Sequence, residues 1–209
     1  MTKKKKPVVK IAVIMAEGET EVEFYNCIID TIKSQVVLPK ELKIHKIVNI
    51  EGISKFQKNA VSHFNTIQNK YEKKYPNFKF DFYIFLCIDT DVFYFEQKPP
   101  LNKEKLKQDL FNNGAVSVKY IEADKSIEDW FLSDLEGIKN FLKLKNISPG
   151  YKNRKTGAEK LNEIFKKANK TYIKGCKVEG FAKKLNISMI MKKYKNELSP
   201  LFDLLGYNE

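Results

Sequence analysis

Hydrophobic positions along the chain change period several times, and each change predicts an element. Val8 to Met15 is a nearly continuous apolar run with β-branched residues, the pattern of a strand buried on both faces. Gly18 interrupts it. Glu19 or Thr20 then begins a helix through Glu21, Phe24, Cys27 and Ile28, whose spacing of three and four gives one apolar face. Glu41 to Ile50 alternates as a second strand, and Ser54 is placed to cap a helix carrying Phe56, Ala60, Phe64, Ile67 and Tyr71 on one side. Phe80 to Ile88 is apolar and aromatic almost throughout, which predicts a central strand ending at Asp89. Asn102 caps a helix through Leu106 and Leu110, and Ala115 to Ala123 returns as a strand. Strands and helices alternating at these lengths predict an α/β fold, a Rossmann-like, mostly parallel sheet.

Beyond Ser126 the strand signals stop. Short helical patterns follow, broken at Asp134, Pro149-Gly150, Lys174-Gly175, Ser188 and Ser199-Pro200. The expected layout is an α/β domain over residues 1–135 and a basic helical extension over 136–209 packed on the same domain. The lysines at Lys3 to Lys6 read as a frayed start. At 209 residues with 43% hydrophobic content, the chain can bury a proper core. No apolar run approaches the roughly 20 residues of a membrane span. The N-terminal lysines precede no small-residue cleavage site, so the expectation is a cytoplasmic protein without a membrane partner. Cys27, Cys87 and Cys176 are too scattered for a zinc site or a disulfide framework and read as packed thiols.

Charge separates the two parts. Residues 1–10 carry five basic and no acidic groups, residues 11–138 sixteen and twenty, and residues 139–209 seventeen and six. A basic end of this size attracts phosphate backbones and predicts a nucleic-acid partner, DNA or RNA. A composition rich in Lys, Asn and Ile, with Arg154 the only arginine, is also what an AT-rich genome produces without selection for binding. Lys152, Arg154, Lys155, Lys174 and Lys177 fall in loop-like segments beside Gly150, Gly157 and Gly175, where side chains and open backbone N–H groups suit phosphates. They are equally ordinary surface residues of a Lys-rich protein. Tyr151 and Tyr172 are placed to stack on bases or to pack as core.

Candidate chemistry gathers where the first and central strands end, since open α/β sheets bind ligands beyond their carboxyl ends. Glu17 precedes a glycine turn and a helix N-terminus, which could also receive a phosphate. Asp89 and Asp91 follow the central strand as Asp-x-Asp, a common way to present hard oxygen ligands to Mg²⁺. Either motif alone is weak; their joint placement after two strands of an α/β pattern is the stronger signal.

The segment Ala16-Glu17-Gly18-Glu19-Thr20-Glu21 resembles the Glu-Gly-x-Thr-Glu signature of TOPRIM domains. Such domains occur in OLD-family nucleases and in small stand-alone proteins of bacterial defence loci, including the RloB-like group. Cys87-Ile88-Asp89-Thr90-Asp91 is similar to the second TOPRIM motif, and the likeness covers about residues 8–135. The resemblance implies catalytic and metal-binding roles for Glu17, Asp89 and Asp91, with Mg²⁺ or Mn²⁺ as cofactor. It also implies nuclease activity and a setting in antiviral defence. Ser126-Ile127-Glu128-Asp129-Trp130-Phe131-Leu132 is similar to a segment that follows the last strand in defence-type members, where the glutamate lies near the metal edge. Helical spacing turns Ile127, Trp130 and Phe131 to the core and Glu128 to solvent or the site; the alternative is a plain capping box between Ser126 and Asp129. Glu21 either helps bind a second metal or favours the positive end of its helix.

Other chemistries are set aside. The chain has no Gly-x-x-x-x-Gly-Lys sequence, so any ATPase or sensor of such a system is expected as a separate partner. His45 and His63 lack a neighbour at ligand spacing. A haloacid-dehalogenase-type phosphatase would use Asp89-Thr90-Asp91-Val92, but the motif is late, no later acidic pair is convincing, and Glu17 would be idle. The remaining alternative is a non-catalytic module that binds nucleic acid or a partner protein.

Overall fold

The computed structural model describes residues 6–93, 101–147 and 155–207. Among these residues the chain forms a five-stranded parallel sheet with helices on both faces. Strand β1 (Val8–Ala16) is followed by helix α1 (Glu19–Gln35), the short strands β2 (Leu42–Ile44) and β3 (Val48–Asn49), and helix α2 (Ile53–Lys74). Strand β4 (Lys79–Asp89) leads through a 3-10 turn at Asp91–Phe93 towards helix α3 (Lys103–Asn112) and strand β5 (Ala115–Ala123). Helices α4 (Ile127–Phe131), α5 (Leu135–Leu142), α6 (Gly157–Lys166), α7 (Ile187–Lys193) and α8 (Lys195–Leu205) complete the chain. None of the described helices is long and apolar enough to cross a membrane.

The strand order is β2-β1-β4-β5, with β3 also on β1, and every pairing is parallel. Alternate residues of β1 and β4 enter two cores. Ala12, Ile14, Ala16, Phe85 and Cys87 face α1 and the C-terminal helices, while Ile11, Val13, Met15, Phe82, Ile84 and Leu86 face α2 and α3. Burial on both faces is why these strands read as unbroken apolar runs. The chain after residue 135 shares the first core: Phe181, between α6 and α7, and Ile190, Leu198 and Leu201 of the last two helices join Phe24, Trp130 and Phe131.

Several boundaries differ from the sequence reading. The single strand expected over Glu41 to Ile50 is two. Ile44 aligns with Ala12 and Val48 with Met15, so the outer chain carries one extra residue there and leaves the ladder between them. The cap of α2 is Gly52, not Ser54, because the chain leaves β3 through positive φ angles at Glu51 (66°) and Gly52 (103°), and only glycine adopts the second freely. Ser188 lies inside α7, whose cap is Asn186. Ser199-Pro200 lies inside α8. Pro200 cannot donate to the Asn196 carbonyl one turn back; the Ser199 hydroxyl does so instead at 2.8 Å. The expected break at Pro149-Gly150 lies outside the described residues.

A candidate carboxylate and lysine site

From β1 the chain crosses to β2 on one side, and from β4 to β5 on the other, so the gap beyond the carboxyl ends of β1 and β4 is a topological switch point. Glu17 follows β1 at this gap, and Asp89 ends β4. Their separation is fixed by one hydrogen bond: the Asp89 backbone N–H donates to Glu17 Oε1 at 3.0 Å. Asp-Thr-Asp is held from β5, since Thr90 N–H donates to the Ala123 carbonyl, Lys125 N–H to Thr90 Oγ1, and Asp91 N–H to the Lys125 carbonyl.

Three further groups converge. Glu21, in the first turn of α1, is 6% exposed. Glu128, in α4, is fully buried, so its side chain points to the site and not to solvent. Asp89 caps that helix: Ile127 N–H donates to Asp89 Oδ1 at 2.8 Å, a bond that the Ser126 side chain does not make. Ser126 instead hydrogen-bonds the Asp129 carboxylate at 3.1 Å, so the reciprocal capping box, the alternative reading of this segment, is not formed. Lys174 arrives from the loop between α6 and α7. Its Nζ lies 2.6 Å from Asp89 Oδ2 and 3.3 Å from Asp91 Oδ2.

Close backbone packing holds the Lys174 loop in place. Glu19 N–H donates to the Gly175 carbonyl at 3.3 Å, and Thr20 Oγ1 to the Cys176 carbonyl at 2.5 Å. A Cβ on Gly18 would stand 2.8 Å from Gly175 Cα, so this glycine is required by the approach of a second chain segment.

The electrostatics are unbalanced. Among the described residues, five carboxyl groups, Glu17, Glu21, Asp89, Asp91 and Glu128, surround the Lys174 ammonium. Burial and the Asp89 carboxylate push Glu17 up to about 8. Burial, then Asp89 and Glu128, push Glu21 up to about 7. Burial pushes Asp89 up to about 6, even though the Lys174 ammonium opposes the rise. Burial alone would lower Lys174, but its carboxylate neighbours, Asp89 foremost, outweigh it and hold the ammonium above its ordinary range. Four buried oxygens, Glu21 Oε2, Asp89 Oδ2, Asp91 Oδ1 and Glu128 Oε2, have no hydrogen-bond partner. Asp89 Oδ2 is orphaned only in that sense, since its ion pair with Lys174 is short. Buried anionic oxygens in this number call for protons or a further cation. Their hard-oxygen chemistry fits Mg²⁺ or Mn²⁺. Among the described residues, however, no three His, Cys, Asp or Glu groups are already grouped to hold one ion. A divalent ion here would have to take the carboxylate oxygens from Lys174.

Of the basic candidates only Lys174 joins the cluster among the described residues. Lys155 pairs with Glu163 of α6, and Lys177 is exposed on the Lys174 loop. Lys152, Arg154 and Tyr151 lie outside the described residues. Tyr172 is core: its hydroxyl donates to Glu128 Oε1 at 2.9 Å, and burial with that carboxylate raises its pKa far above the usual phenol. Sequence reasoning misses the Tyr172–Glu128 bond and the seat of Lys174 between the aspartates. Beside the cluster a cleft of about 450 Å³ opens between Gly18, Asn49, Glu51, Gly52 and the Lys174–Cys176 segment.

Comparison with protein-family models, with curated proteins and with solved structures gave no match for this chain.

Proposed function

We propose that this chain is a metal-dependent nuclease of TOPRIM type, hydrolysing phosphodiester bonds of DNA or RNA. The observation that carries the reading is the convergence, among the described residues, of five carboxyl groups at the switch point of a parallel sheet; three of their oxygens, Glu21 Oε2, Asp91 Oδ1 and Glu128 Oε2, are buried without a partner. The resemblance of Glu17-Gly18 and of Asp89-Thr90-Asp91 to TOPRIM motifs supports it. It also suggests a place as effector in antiviral defence, with a separate ATPase or sensor as partner.

Asp89 and Asp91 would hold Mg²⁺ or Mn²⁺, with Glu21 and Glu128 at its border. Such an ion supplies positive charge to a phosphate and acidifies bound water. Glu17, which burial and the Asp89 carboxylate raise in the metal-free protein, stands next to Asp89 and suits transfer of a proton from an attacking water and back to a leaving oxygen. Lys174, released from the aspartates, offers its ammonium to a phosphate oxygen. The open cleft beside Gly18 and Gly52 admits a strand to these groups.

A non-catalytic module has one observation in its favour. Lys174 already bridges Asp89 and Asp91, which is how a purely structural ion-pair network would look. One assay separates the two readings: incubation of end-labelled single-stranded and duplex DNA and RNA with Mn²⁺ and either the wild-type chain or Glu17→Gln. Cleavage by the wild type that is lost in the variant, with binding retained, supports the nuclease. Binding without cleavage by either protein favours the module.

A further inference from the structure

Away from the carboxylate cluster, a second concentration of chemistry lies along the outer edge of the sheet. Strand β2 is the terminal strand, paired with Lys10, Ile11 and Ala12 of β1. Leu42 and Ile44 of β2 pack into the core on the α1 side, so alternation turns Lys43 to the α2 face, and His45 follows in the same phase. The last two turns of α2 bring Lys70, Tyr71 and Lys74 opposite them, with Tyr75 just beyond the helix. Between these elements runs a groove of about 180 Å³ lined by His45, Lys70, Tyr71, Lys74 and Tyr75.

Its aromatic wall is built in depth. The Tyr71 ring meets Phe80 at 5.3 Å, Phe82 at 6.0 Å and Tyr75 at 6.4 Å between centroids, and His45 stands edge-on to it at 5.8 Å. Lys43 Nζ and Lys74 Nζ lie over the Tyr75 ring, 5.5 Å and 5.3 Å from its centroid, so a base stacking on that ring has to displace one of them towards its phosphate. Neither these two lysines nor Lys70 enters an ion pair among the described residues. Burial and the Lys70 charge hold His45 below its ordinary 6.5, so it presents a neutral ring at pH 7. Half-buried rings beside three unneutralised cations match a ligand that is at once flat, apolar-faced and anionic. A nucleotide unit has that chemistry, with its base against the tyrosines and its phosphate on the lysines.

We propose that this groove is a second nucleic-acid contact, taking one or two nucleotides of a single strand at a distance from the carboxylate site. The inference rests on the reading of the substrate as nucleic acid. A duplex cannot stack a base on the rings, because its bases are stacked and paired with one another, and it meets the groove only through phosphate contacts to the lysines. From Ile11, the middle of the β2 register on β1, to Glu17 is six residues of extended chain, roughly 20 Å at about 3.3 Å per residue. A strand must therefore be several nucleotides long to occupy both places, so the groove would act as a length-sensing anchor.

The test is fluorescence anisotropy in EDTA, where cleavage does not intervene, with labelled single strands about 4 and about 16 nucleotides long. The full-length wild type is compared with Tyr75→Ala and with Lys70→Gln/Lys74→Gln, each checked by circular dichroism. The expected result is about tenfold weaker binding of the long strand by either variant, with a flatter salt dependence in the lysine variant and binding of a matched duplex unaffected by Tyr75→Ala. If Tyr75→Ala fails to fold, the lysine variant carries the test, since its changes are confined to exposed side chains. Unchanged affinity for the long strand overturns the proposal. So does a loss confined to the lysine variant together with equal displacement of the strand by polyglutamate, which would mark a plain polyanion surface. Retained groove binding with no cleavage of any substrate would remove the nuclease reading and leave this site standing.

Discussion

Replacing Glu17 by glutamine should make the metal-free protein more stable, by an amount that depends on pH. A carboxyl that titrates at about 8 when folded and at its ordinary 4.5 when unfolded keeps its proton on folding across that interval. Below 4.5 both states are protonated and Glu17 contributes no pH dependence. Between 4.5 and about 8 the unfolded chain has released the proton and the folded one retains it, so wild-type stability falls as pH rises; above 8 the loss is complete. At about 1.4 kcal/mol per pH unit the loss is roughly 3 kcal/mol at pH 7. Glu17 is not wholly buried, and screening by water reduces this to about 2 kcal/mol. Glutamine keeps an oxygen to accept from Asp89 N–H and carries no charge. Urea unfolding in EDTA at several pH values should therefore show Glu17→Gln about 2 kcal/mol more stable than wild type at pH 7 to 8, with the gain vanishing near pH 4. A chain of this size would gain roughly 4–8 °C in Tm. A gain independent of pH, or a variant less stable at pH 8, would refute the claim that this carboxyl is held at an unfavourable place for the sake of the site.

Lys174→Gln should tighten divalent-metal binding by roughly tenfold, about 1.4 kcal/mol, because the ammonium no longer competes for Asp89 and Asp91; weaker binding in calorimetry would show that Lys174 assists the ion instead. Gly18→Ala brings a methyl within 2.8 Å of the Gly175 backbone and should cost about 1–3 kcal/mol in urea unfolding, whereas an unchanged midpoint would mean that the loop yields without strain. Tyr172→Phe leaves the buried Glu128 carboxylate without its donor and should cost about 1–3 kcal/mol in the absence of metal, partly recovered with Mn²⁺; thermal shifts with and without the ion would register a lack of either effect.

The parts of the fold legible in the sequence are those where a physical requirement repeats along the chain. Strands β1 and β4 are buried on both faces over most of their length, and their apolar runs end within a residue or so of the observed strands; β5, partly exposed, still shows as a short segment rich in β-branched and aromatic residues. Strands β2 and β3 are short and half-buried, so the extra residue that divides them leaves no mark on the alternation. Glu17 and Asp89 are legible because strand ends on a parallel sheet share an edge, whatever the loops do. Lys174 and Tyr172 are not. They reach the site from a loop whose partners Asp91 and Glu128 lie 83 and 44 residues away in the chain, and no periodicity encodes such a meeting. Gly18 is legible as a break, but the approach of Gly175 that demands it is visible only in three dimensions.

The central claim is that the carboxylate cluster binds a divalent cation. It is tested most directly by isothermal titration of Mn²⁺ and Mg²⁺ into the wild-type chain and into Asp89→Asn/Asp91→Asn, in which the amide oxygen replacing the first carboxylate can still accept from Ile127 N–H. Saturable binding by the wild type and none by the variant at equal concentration is expected, with the fold of both confirmed by circular dichroism. Equal binding by both proteins, or no binding by the wild type even with a single-stranded oligonucleotide present, would contradict it.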